Sequence, residues 1–190
     1  MSQERTWFKF ADMPVFIRPS AIFGSILMVI ILAVAAQRLS GLTMQDAIIA
    51  AVIGLILHWL GVLVHNYGHF FAAKRLGYPS SGVMLYLVLG RITYPVNEGD
   101  ISLQAHFQRA IGGPIFSLIL AVVATVLAAL WLIPMGGIAQ FVGSWIVLDY
   151  WLVFTIMSLL PPLRFSWFTN DGGTLWNLLD QSRTQNRPVG

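Results

Sequence analysis

The chain has 190 residues, of which 57% are apolar or aromatic and only 10% are charged, against roughly 45–50% and about 25% in soluble domains. That composition excludes intrinsic disorder and leaves too little polar surface for a water-soluble body of 21.0 kDa. Eleven Lys/Arg against eight Asp/Glu, scattered along the chain, make no nucleic-acid-binding face, and the lack of cysteine removes disulfides, iron–sulfur clusters and thiolate zinc sites.

Four apolar stretches reach the length of about 20 helical residues that crosses a bilayer: 20–37, 47–73, 110–133 and 138–160. The first has a small-residue Ala33-Val34-Ala35 near its end, as signal peptides do, but the polar segment before it is long for that role and predicts an anchor. Between the second and third spans, the loop 80–104 carries Val83 to Leu89, rich in β-formers, then Gly90-Arg91 and Ile92-Thr93-Tyr94, closed by Pro95. This predicts a short β-hairpin at the membrane surface, turning at Gly90-Arg91. A short helix is expected at about 174–181. The expected fold class is an all-α polytopic membrane protein: four transmembrane helices plus the hairpin, in one domain of residues 1–190.

Lysine and arginine set the expected orientation. Arg5, Lys9 and Arg18 precede the first span, Lys74, Arg75, Arg91 and Arg109 lie between the second and third, and Arg164, Arg183 and Arg187 follow the fourth. Only Arg38 falls on the other side, which predicts that both termini and the central loop are cytoplasmic.

Polar residues within spans are the first candidates for chemistry, because lipid burial forces them to find partners. The densest set is His65-Asn66-Tyr67-Gly68-His69, near the end of the second span. Residues four apart share a helix face, so both imidazoles can reach one ion, or can form a hydrogen-bonded pair at the headgroup boundary. A third ligand must come from elsewhere in the chain. After the fourth span come Ser158-Leu159-Leu160-Pro161-Pro162 and, further on, Asn170-Asp171-Gly172-Gly173. Asn170-Asp171 would serve well as a helix N-cap.

The order of these motifs resembles the site-2 protease family of intramembrane zinc metalloproteases. That family has H-E-x-x-H at a helix end, a Gly-Pro motif opening a later span, and an Asn-Leu-Leu-Pro stretch followed by Asp-Gly-Gly. The counterparts are His65 to His69, Gly112-Gly113-Pro114 with Ser117, and Ser158 to Gly173, and the resemblance covers about Ala47 to Leu179. It implies a site-2-protease core, a zinc cofactor, and His65, His69 and Asp171 as its ligands. It also implies a hairpin that offers a strand edge, expected at Val83 to Leu89, to an extended substrate.

One departure bears on function. Where the family has glutamate this chain has Asn66, and Ser158 and Ser117 stand where the family has asparagine. In the family's mechanism the glutamate takes a proton from the attacking water and passes it to the leaving amine. An amide cannot, and loss of such a base costs about 10²–10⁴ in rate. Replacement acids are Asp149, Glu98 and Asp100. Asp149 lies within a span and can instead pair with Ser144 or His58, two helical turns from His65.

Three functions follow. The first is a catalytically impaired pseudoprotease, kept as a scaffold or subunit of a membrane complex. The second is an active zinc-dependent intramembrane metalloprotease cleaving membrane-embedded segments. The third is a haem- or pigment-carrying membrane subunit using His58, with His106 as the other available imidazole. The expected partners are membrane lipids and other membrane proteins or a transmembrane substrate, and not nucleic acid.

Overall fold

The computed structural model of the chain describes residues 6–160 and 170–185, the side chains only as far as residue 180. Residues 161–169, with Arg164, and Arg5 and Arg187 lie outside the described residues.

Four helices are long and apolar enough to cross a membrane: α1 (Pro19–Ser40), α2 (Met44–Arg75), α3 (Leu103–Leu132) and α4 (Gly137–Leu159). The chain is a polytopic membrane protein. Each helix begins before its apolar run does, for local reasons. Pro19 sits in the first turn of α1, where its missing N–H costs nothing. Thr43 caps α2 by accepting from the Asp46 N–H, and Ser102 caps α3 by accepting from the Ala105 N–H. The Ser102 cap adds two polar turns, with His106 and Arg109, ahead of the expected start at residue 110. The end of α3 (Ala128–Leu132) and the middle of α4 (Tyr150–Ile156) widen into π-helix. A fifth helix, α5 (Asp171–Gln185), is longer than the expected 174–181.

The faces between helices are lined with small residues. On α2, Ala47, Ala50, Ala51, Gly54 and Gly61 are buried, and Ala36 of α1 and Ala121 and Ala124 of α3 join them. The large apolar side chains, among them Phe23, Ile26, Ile30, Ile119 and Val126, point outward. This is the arrangement of helices in lipid, where outward apolar groups carry no penalty and close backbone approach supplies packing. The central helix is α2, which packs on α1, α3 and α4.

The β structure is larger than one hairpin. Strands β1 (Phe8–Phe10), β2 (Met13–Ile17), β3 (Gly82–Tyr86) and β4 (Leu89–Thr93) form a sheet in the order β1-β2-β3-β4. The two hairpins are antiparallel, and β2 joins β3 in parallel, with Val15 opposite Val83. The all-α expectation missed β1 and β2, whose three and five residues are too short to stand out beside an apolar span. They turn through Ala11 and Asp12, both at positive φ (44° and 71°), as the tightest hairpins require.

The second hairpin turns at Leu87-Val88, not at the expected Gly90-Arg91, because Tyr86 pairs with Leu89. Gly90 lies within β4, where a side chain would collide with Val62 and Asn66 of α2. Nor does this hairpin lie across the end of the bundle. Its turn rests on α1 at Gly24, where a Cβ would overlap the Leu87 backbone, and it reaches His58. That level is about 10 Å along α2 from His65.

Gly24→Ala is expected to destabilise the protein by about 1–3 kcal/mol, the usual cost of overpacking a filled site. Gly99→Ala, where a methyl group meets only open space, is expected to be neutral. Thermal unfolding of both variants in the same detergent checks the difference.

Candidate metal centre

Two close helix contacts build the site. Gly68 of α2 lies against Gly112 of α3, and a Cβ on either would overlap the other's carbonyl. One residue further along α3, a Cβ on Gly113 would fall inside the imidazole of His69. Glycine at these positions therefore lets the α2 histidines reach the α3 backbone.

Each imidazole is held by its far nitrogen. His69 Nδ1 lies 2.8 Å from the Arg109 carbonyl. A carbonyl only accepts, so Nδ1 donates to it and Nε2 is the nitrogen turned into the site. His65 Nδ1 lies 2.8 Å from the hydroxyl of Ser117, one turn beyond Gly113 on α3. The two Nε2 atoms face each other at 3.3 Å.

The third member arrives from α5. Asn170 caps this helix, its side-chain oxygen accepting from the Gly173 N–H at 2.9 Å. Its amide donates to the carbonyls of Met157 and Leu160, so the start of α5 is tied to the end of α4. Gly172 lets the backbones touch, since a Cβ there would meet the carbonyls of Leu159 and Leu160. With Asn170 as the cap, the Asp171 carboxylate is left to face the histidines. Its oxygens lie 3.1 Å from His65 Nε2 and 3.2 Å from His69 Nε2. Burial pushes the Asp171 carboxyl upward, but the neighbouring His69 and His65 outweigh it and hold the group below the usual carboxylate range.

His65, His69 and Asp171 thus form a group that can bind a metal ion. Tetrahedral ligands at the zinc bond lengths of 2.0–2.1 Å would stand about 3.3 Å apart. The separations of 3.1, 3.2 and 3.3 Å fit that arrangement.

The remaining candidates lie elsewhere. Asn66 is buried, donates to the Val62 carbonyl at 2.8 Å and packs on Gly90 of β4. Glu98 is engaged by Arg109 at 2.9 Å, and the Arg109 guanidinium stacks 3.5 Å over the ring of Tyr94. Asp100 is exposed. Asp149 pairs with His58 rather than Ser144. Both ring nitrogens of His58 are engaged, one by Asp149 and the other by the Val88 carbonyl, which leaves none to coordinate a haem iron. His106 is exposed. Ser158 bonds the carbonyls of Phe154 and Thr155 in its own helix. The contributions of Arg109, through its carbonyl, and of Asn170 were not read from the sequence as parts of the site. A backbone acceptor leaves no side-chain signature, and Asn170 was visible only as a cap.

The four apolar helices define a polytopic membrane protein, in which His65, His69 and Asp171 converge. Comparison with solved structures matches the chain to the site-2 protease from Methanocaldococcus jannaschii, with a TM-score of 0.55 and 16% identity, over 97% of this chain and 74% of that one. No protein-family model and no curated protein matches the sequence.

Gly113→Ala is expected to displace the His69 ring and abolish metal uptake at this site while the helices still form. Cobalt titration followed by visible absorption, with circular dichroism as the fold control, checks this; unchanged cobalt binding contradicts it.

Proposed function

We propose that this is a site-2-protease-like membrane protein that retains a zinc site but has lost efficient peptide hydrolysis, and serves as a scaffold or subunit of a membrane complex. The observation that carries this reading is the pairing of an intact His65–His69–Asp171 group with Asn66 at the position of the general base. The Asn66 carboxamide cannot exchange a proton with water near neutral pH, and it is spent on Val62 and the hairpin. Of the three replacement acids, Glu98 is held by Arg109 and Asp149 by His58, and Asp100 is exposed.

His65, His69 and Asp171 would hold the zinc, with Ser117 and the Arg109 carbonyl orienting the rings. Zinc bound there supplies Lewis-acid polarisation. An extended segment of a partner or substrate would pair with the sheet. The edge for this is β4, and the expected Val83–Leu89 edge is corrected, because β3 is paired on both sides, by β2 and β4. The distribution of Lys and Arg supports cytoplasmic termini.

The intact ligand geometry also favours a second reading, an active zinc-dependent intramembrane metalloprotease. Elemental analysis and cleavage of a co-reconstituted transmembrane segment separate the two. The first reading expects about one zinc per chain, lost in His65→Ala, and no cleavage by the unaltered chain. It also expects a gain of about 10²-fold or more in Asn66→Glu. Chelator-sensitive cleavage by the unaltered chain overturns it in favour of the second.

A further inference from the structure

A second buried polar cluster joins α2, α4 and the turn of the β3–β4 hairpin. His58 and Asp149 are 3% and 1% exposed. His58 Nδ1 lies 3.0 and 3.2 Å from the two Asp149 oxygens, and Nε2 lies 2.8 Å from the Val88 carbonyl. Because the carbonyl only accepts, Nε2 carries a proton, and one further proton is shared between Nδ1 and the carboxyl group. The ring is flanked by Trp59 and Phe154, and Trp59 in turn donates to Ser25 of α1.

Ionisable groups inside a span are costly, and apolar residues of the same volume would pack without that cost. What the pair adds is direction: a fixed N–H aimed at one backbone oxygen. That oxygen belongs to the hairpin turn, whose other side rests on Gly24. Two residues further on, Gly90 packs on Val62 and Asn66, so fixing Val88 sets where β4 lies along α2.

We propose that His58 and Asp149 are positioning residues that clamp the hairpin turn and hold the β4 edge, unpaired among the described residues, in register beside the His65–His69–Asp171 site. The role of that edge in pairing with an extended segment rests on the function proposed above. The clamp itself requires neither metal nor hydrolysis.

The chain has no cysteine, so Leu87→Cys, at an exposed position of the turn, accepts a single nitroxide label in the full-length protein in nanodiscs. With His58 and Asp149 intact, the label is expected to be immobilised. The double variant His58→Phe/Asp149→Leu leaves no buried charge behind and is expected to keep its helical content. Its label becomes mobile, and amide exchange across residues 82–93 rises about tenfold, the factor for one ordinary hydrogen bond. Asp149→Asn keeps the Nε2–H donor to Val88 and should keep the label immobile. That contrast would not arise if the pair merely contributed stability. An immobile label with unchanged exchange in the double variant overturns the proposal. If that variant fails to fold, His58→Leu/Asp149→Asn is read in the same way: a mobile label supports the clamp and an immobile one overturns it. Zinc content measured on the same samples keeps the two readings apart, since a clamped hairpin without metal removes only the zinc site.

Discussion

Where α2 crosses α3, Gly68 and Gly112 bring the two backbones into contact, and Gly113 leaves a hollow that the His69 ring fills. The rest of the site depends on that crossing. With the helices at ordinary separation, His69 could not reach the Arg109 carbonyl, nor His65 the Ser117 hydroxyl. Both imidazoles would then be free to rotate, and their inner nitrogens would have no common focus. In lipid, where association between helices gains little from apolar burial, backbone contact of this kind is also a main source of packing energy.

The second constraint is that every polar group within the spans must find a partner. His58 and Asp149 satisfy each other and also a carbonyl from outside the helices, so a hairpin enters the bundle as part of the same solution. Asn66 is accommodated in a related way. Its amide bonds to its own helix and its side chain packs on β4. Asn66 is thus a neutral group serving the hairpin, next to histidines that converge with Asp171.

The junction of α4 and α5 performs a comparable task at the far end of the chain. Asn170 caps α5 and ties it to α4, and Gly172 permits the contact. One residue therefore sets both where the helix starts and where the next carboxylate points. The cap reading of Asp171 is corrected: Asn170 makes the cap, and the adjacent Asp171 faces the two histidines.

The sequence by itself determined the membrane class and the four spans, because about 20 consecutive apolar residues have few other solutions. It also showed that His65 and His69 share a face, a consequence of helical periodicity alone. The ends of the helices, the two N-terminal strands and the true hairpin turn were not legible. They depend on caps, on short strands that exist only by pairing across some 68 residues (Val15 with Val83), and on Gly90 being needed against α2 rather than in a turn. The meeting of Asp171 with the histidines, the pairing of His58 with Asp149 and the place of β4 at the end of the described sheet were decided by the tertiary structure. Each requires groups far apart in the chain to come within hydrogen-bond distance, and local periodicity carries no information about which helices touch or how closely.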